Sequence, residues 1–211
     1  MFISILIVAS AVSFVGSLQL GPVNLYVINT VLHQSKKSAM WVAIGGCVPE
    51  FIYCALAVYA SSFLNENKLI QQLLSIIFIV VLVCIGIVLL LKKQKNNTLP
   101  TTVVAAPQSA IESMGKGFGL AALNPQLLPF WIFVQVYFNS TTLLQLTSNT
   151  ANIAYVIGAG AGALALLLTL ITLVQKHKAV FLKYINHIYY YKVLGILFLS
   201  IAAQQLLHLK N

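Results

Sequence analysis

The chain reads as an all-α membrane protein: six transmembrane helices forming two inverted three-helix repeats, with broken helices in the first and fourth spans. Three observations predict this. Of its 211 residues 60% are hydrophobic and 7% charged, with a mean hydropathy of +0.94, which excludes an ordinary soluble domain. Its twelve basic residues are all lysines, and they cluster between the apolar runs. Finally, helix-breaking pairs stand at matching places in the two halves, Gly21-Pro22 and Asn124-Pro125.

The spans follow in order. A membrane-crossing helix needs about 20 mostly apolar residues, and six segments approach that length: about 3–32, 39–62, 69–91, 118–138, 151–174 and 192–208. The first is overlong, as expected of a helix interrupted at Gly21-Pro22. It has no basic residues ahead of its apolar stretch and runs beyond leader length, so it reads as a retained span. Between spans, the first, third and fifth loops carry Lys36 and Lys37; Lys92, Lys93, Lys95 and Lys116; and Lys176, Lys178, Lys183 and Lys192. The opposite side has Lys68 and Lys210. By the positive-inside rule those three loops are cytoplasmic and both termini face outward. The net charge of +9 is then an orientation signal, and no aromatic-interleaved basic patch points to nucleic acid.

The chain forms one transporter domain: repeat one over about 1–91, a lysine- and proline-bearing cytoplasmic loop over about 92–117, and repeat two over about 118–211. Three spans is an odd number, so the second repeat is inverted in the membrane. Landmarks recur in order: Pro22 with Pro125, Gly45-Gly46 with Gly158, Gly160 and Gly162, and Gly86 with Gly195. Residues 178–191 interleave Lys178, Lys183, Asn186 and His187 with Phe181, Leu182, Ile185 and Ile188, then add Tyr189, Tyr190 and Tyr191. That suits an interfacial cytoplasmic helix.

Glu50 is the one acidic residue inside an expected span. A carboxylate at that depth costs at least about 2.5 kcal/mol, so it needs a partner, a proton or a water path. Proton coupling or recognition of a substrate amine is the functional reading, and a protonated glutamate bonded to a neighbouring helix is the structural one. Tyr53 lies one turn on and can share its face. At the first break, Gln19-Leu20-Gly21-Pro22-Val23-Asn24 joins a flexible residue, a rigid one and side-chain amides. A half-helix starting there points N–H groups at an anion. Asn124-Pro125-Gln126 does the same from the other half. One such break alone reads best as a kink; two at matched positions favour a substrate site at the repeat interface. The small residues Gly158, Gly160 and Gly162 read as helix packing. Trp131 and Gln135, following Pro125 and Pro129, read as cavity lining, with lipid-facing packing an equal alternative for Trp131.

Other chemistries find little here. Cys47, Cys54 and Cys84 give no disulfide framework and no zinc spacing, and His33, His177, His187 and His208 read as interfacial. No metal site and no cofactor are expected, and no P-loop is present to drive transport with ATP.

In sum of motifs, the chain resembles the LysE-type amino-acid exporters (the LysE/RhtB translocators). The resemblance is carried by Gly21-Pro22, by Lys36-Lys37 leading into Gly45 and the acidic Glu50, by Gly86, and by Lys116-Gly117-Phe118 through Leu123-Asn124-Pro125 to Phe130-Trp131. It covers nearly the whole length. The chain departs from the family at Pro49-Glu50, where glycine then aspartate is usual, and at Gln126, where a lysine commonly follows the asparagine-proline pair. The resemblance implies a multi-pass bacterial inner-membrane carrier rather than an enzyme. Its expected activity is export of an amino acid or similar small metabolite, coupled to proton entry. Substrate binding falls to Gly21, Pro22, Asn24, Asn124, Pro125 and Gln126, and proton coupling to Glu50 and Tyr53. The lipid bilayer and a small-molecule substrate are the expected partners, and a homo-oligomer stays open. A thiol redox enzyme would need a cysteine in each half, but every cysteine precedes the central loop. A divalent metal exporter, the alternative, would use Glu50, Cys47 and Cys54, which share one helical face.

Overall fold

The computed structural model describes residues 2–18, 21–65, 109–124, 126–141, 146 and 148–184, together with scattered helical residues between 76 and 91 and between 192 and 206. Among these the fold is wholly helical. α1 covers Phe2–Gly16, α2 Pro22–His33, α3 Lys36–Asn65, α4 Ala110–Ala122, α5 Leu127–Thr141, α6 Asn149–Lys176 and α7 Lys178–Tyr184. Two stretches are long and apolar enough to cross a membrane alone, Lys36–Tyr59 and Asn149–Lys176, and a third is obtained if α4 and α5, bent by 61° at their junction, count as one span.

The overlong first segment is broken as expected. α1 is apolar but only 15 residues long, about 22 Å at 1.5 Å per residue, short of a bilayer core. It stops at Gly16, and α2 restarts with Pro22 at its first position, where proline's missing N–H costs nothing.

The fourth segment begins earlier than hydropathy indicates. The lysine-bearing loop is expected to reach about residue 117, yet α4 starts at Ala110, with the Ser109 hydroxyl accepting the Glu112 amide at 3.2 Å. This turn is polar, so an apolar window passes over it. Glu112 and Lys116 pair at 2.8 Å on its exposed face, a contact worth under about 1 kcal/mol. That hydrogen bond, with nearby Tyr26, holds the Lys116 ammonium above the usual lysine range. Of the expected interfacial helix at 178–191, α7 supplies the first part, and Asn186, His187 and the three tyrosines lie outside the described residues.

The residues form two compact units, Met1–Tyr59 with Thr101–Lys178, and Ala60–Pro100 with Ala179–Asn211, each drawing on both halves of the sequence. In the first unit, helices cross through glycine. A Cβ at Gly158 of α6 would sit 2.6 Å from the Leu6 carbonyl oxygen of α1, and one at Gly162 would collide with the Ser10 carbonyl. α3 and α4 meet alike: a Cβ at Gly45 would overlap the Met114 carbonyl, and one at Gly117 the Val42 carbonyl. Helices that lack an aqueous driving force associate by such close approach. Gly160, expected to join the same ridge, instead lies under the Phe51 ring of α3, since two residues along a helix turn it to another face. Beyond these crossings an apolar cluster gathers Ile5 and Ala9 of α1, Cys54 and Ala57 of α3, Trp131, Val134 and Phe138 of α5, and Tyr155 of α6. In the second unit Gly86 and Gly195 face each other, a Cβ at Gly195 falling 2.8 Å from the Gly86 carbonyl oxygen.

Candidate substrate cavity

A cavity of about 70 Å³, room for a few waters, opens in the first unit where both helix breaks converge. Gly16 and Ser17 at the end of α1 and Gly21 to Asn24 at the start of α2 form one wall. Ala121, Asn124, Gln126, Leu127 and Phe130 form the second, Gly46 and Glu50 of α3 the third, and Ala163 and Leu167 of α6 the fourth. Six residues proposed from sequence therefore line one space: Gly21, Pro22, Asn24, Glu50, Asn124 and Gln126. Pro125 lies outside the described residues.

The two breaks are built differently. Gly21 stands in extended backbone before α2, and no side chain caps the helix there. The first turn thus presents the positive end of α2 to the cavity. Asn24 Nδ2 donates to the Ser17 carbonyl at 2.8 Å, tying α2 back to the end of α1. At the second break Asn124 Oδ1 accepts the Gln126 backbone amide at 3.1 Å, an Asx turn just ahead of α5. The Asn124 amide in turn donates to the Ala121 carbonyl at 3.0 Å.

Glu50 is the ionisable group of the cavity wall, 9% exposed. Its Oε2 accepts the Trp131 indole N–H at 2.6 Å, joining α3 to α5. A carboxylate acceptor makes this bond stronger than a neutral one, so protonating Glu50 weakens the link between the two helices. Trp131 is fully buried, with Phe130 edge-on at 5.2 Å and Tyr155 at 5.6 Å, which settles its position against the lipid-facing alternative. The signal was in the sequence: an isolated membrane carboxylate needs a donor, and an indole N–H can only donate. Tyr53 turns elsewhere. Its hydroxyl donates to the Ala122 carbonyl at 2.7 Å, satisfying an orphan at the end of α4. Phe130 rests on Gly16, where an added Cβ would come within 2.5 Å of the ring. Among the described residues no three histidine, cysteine or acidic side chains gather to hold a metal, and the Cys47 thiol donates to the Ile44 carbonyl at 3.1 Å.

The model of the LysE type translocator family matches residues 14–209, most of the chain. The chain belongs to this family. Comparisons with curated proteins and with solved structures returned no match. As a LysE type translocator the protein is membrane-embedded and moves small molecules, and its relatives are transporters rather than enzymes. The matched region includes both breaks, Glu50 and Trp131, so the cavity falls wholly within the family's common body.

Proposed function

We propose that this translocator exports an amino acid or similar small metabolite across the bacterial inner membrane in exchange for protons, with the cavity as its substrate site. The observation that carries the proposal is the meeting of both helix breaks and the buried Glu50 at one cavity. The uncapped start of α2 is suited to a substrate carboxylate, and the wall of Asn124, Gln126 and Glu50 is suited to an amine. Glu50 alternates between an ionised state bonded to Trp131 and a protonated state in which that bond is weakened. Proton and substrate thereby bias the same contact between α3 and α5.

Two inverted three-span repeats supply the motion: one half rocks against the other around the fixed site. Glycine contacts support this symmetry. The first half-helix of each repeat packs on the second span of the other, α1 on α6 and α4 on α3, and Gly86 pairs with its sequence counterpart Gly195. With the lysine-rich loops cytoplasmic and both termini outside, the cavity lies on the cytoplasmic side of Glu50, where an exporter collects its substrate.

The test is a screen of amino-acid efflux from cells with and without the protein, followed by reconstitution of the substrate it returns. Glu50→Gln is expected to abolish proton-driven export while the protein still folds. Undiminished proton-driven flux in proteoliposomes carrying Glu50→Gln defeats the coupling role, and metal resistance without amino-acid efflux defeats the substrate class.

A further inference from the structure

We propose that the cavity selects amino acids whose side chains are uncharged and no larger than that of serine, and that the Phe130 ring sets this limit. The proposal rests on the exporter reading above and narrows its substrate class.

Size comes first. A cavity of about 150 Å³ holds one benzene ring, and this one measures about 70 Å³. An aromatic or long aliphatic side chain therefore has no room unless a wall moves. Two glycine contacts fix the walls. At Gly46 a Cβ would fall 2.7 Å from Val23 Cγ1 and 3.8 Å from Leu167 Cδ1, so α2 and α6 close on α3 there. At Gly16 a Cβ would come within 2.5 Å of Phe130 Cζ, so this ring reaches from α5 across to the end of α1. All five residues line the cavity. Gly46 precedes Glu50 by one helical turn, about 6 Å along α3. Phe130 stands at the level of Glu50, edge-on to the Trp131 indole that bonds to it. The two closures thus lie about one turn apart, which leaves room for the charged ends of an amino acid and little beyond its β-carbon.

Charge narrows the class further. Among the described residues lining the cavity, Glu50 alone is ionisable. An acidic side chain would bring a second carboxylate beside it, with no cation in the wall to offset the repulsion. A basic side chain would suit Glu50 but needs a long stem, which one turn of space excludes. With the substrate amine at Asn124, Gln126 and Glu50 and its carboxylate at the start of α2, the wall left for the side chain is apolar: Leu127, Phe130, Ala163 and Leu167. Ala163 and Leu167 are buried in α6. Phe130, the largest side chain of the wall, is half-buried with its ring tip on Gly16. Removing a benzene-sized ring there more than doubles the space, so Phe130 is the specificity-determining residue.

Counterflow of radiolabelled alanine into proteoliposomes carrying the full-length protein tests this without a proton gradient. Glycine and serine are expected to compete with the label, and leucine, phenylalanine, lysine and glutamate to compete about tenfold more weakly or less, as exclusion by an apolar pocket allows. In Phe130→Ala the ratio of leucine to alanine counterflow should rise about tenfold, and in Phe130→Leu by less. If Phe130→Ala fails to fold, the ratio in Phe130→Leu decides. Leucine, phenylalanine or lysine competing as well as serine in the parent overturns the size limit, and glutamate doing so overturns the charge limit. A leucine-to-alanine ratio that stays at the parent value in the folded variants overturns the role of Phe130. If the reconstituted parent carries none of these amino acids, the exporter reading itself is defeated, so the two failures are told apart.

Discussion

The two helix breaks occupy matching places in the chain but present opposite chemistry to the cavity. At the first, Asn24 donates its side-chain amide to the Ser17 carbonyl, and the start of α2 stays without a side-chain cap. At the second, Asn124 accepts the Gln126 amide in an Asx turn just ahead of α5. One asparagine is used as a donor and its counterpart as an acceptor. Repeated sequence landmarks therefore specify where a helix is interrupted, but hydrogen bonding decides which interruption keeps its dipole for a ligand.

The largest expected effect removes the first interruption. Pro22→Ala restores a backbone N–H and lets the helix start earlier, closing the wall of the cavity. Transport in reconstituted vesicles is expected to fall about tenfold or more, a loss of roughly 1.4 kcal/mol in site function, whereas Pro129→Ala, within the first turn of α5, leaves it near the parent rate. Equal tolerance at both positions would reduce the first break to an ordinary kink.

A smaller effect separates the two asparagines. Aspartate accepts but cannot donate, so Asn124→Asp keeps its Asx turn, while Asn24→Asp loses the bond to Ser17 and sets an acidic group at the start of α2. Uptake of labelled substrate into inverted vesicles should drop several-fold for Asn24→Asp and by less for Asn124→Asp, which keeps its turn. The reverse ranking breaks the comparison.

The smallest effect falls on stability. Asn124→Ala removes the Asx turn ahead of α5 and is expected to cost about 1 kcal/mol, read as a lowered unfolding midpoint in detergent. Asn124→Asp should recover most of that loss, since its carboxylate still accepts the Gln126 amide.

Much of the candidate site was legible in the sequence because its signals are local. Proline at 22 and 125 and a lone glutamate at 50 stand out against apolar surroundings, where each carries a cost that packing alone does not require. Trp131 was harder to assign because an indole in an apolar helix serves lipid, core or carboxylate equally well until a partner is known. Tyr53 illustrates the same gap: its spacing allowed it to share Glu50's face, yet its hydroxyl reaches the Ala122 carbonyl on α4. The start of α4 was missed for another reason, since Ser109, Glu112 and Lys116 make a polar turn that hydropathy assigns to the loop.

By itself the sequence determined that the chain is helical and membrane-embedded, where its helices break and which ionisable side chain is buried among them. These follow from composition and from proline's missing donor, which act within a few residues. Only the tertiary structure decided that Glu50 bonds to Trp131, that Gly158 and Gly162 admit α1 while Gly160 lies under Phe51, and that an Asx turn closes one break while no side chain caps the helix at the other. Each of those joins helices distant in the chain or chooses among equally reachable hydrogen-bond partners, and such choices are made by packing.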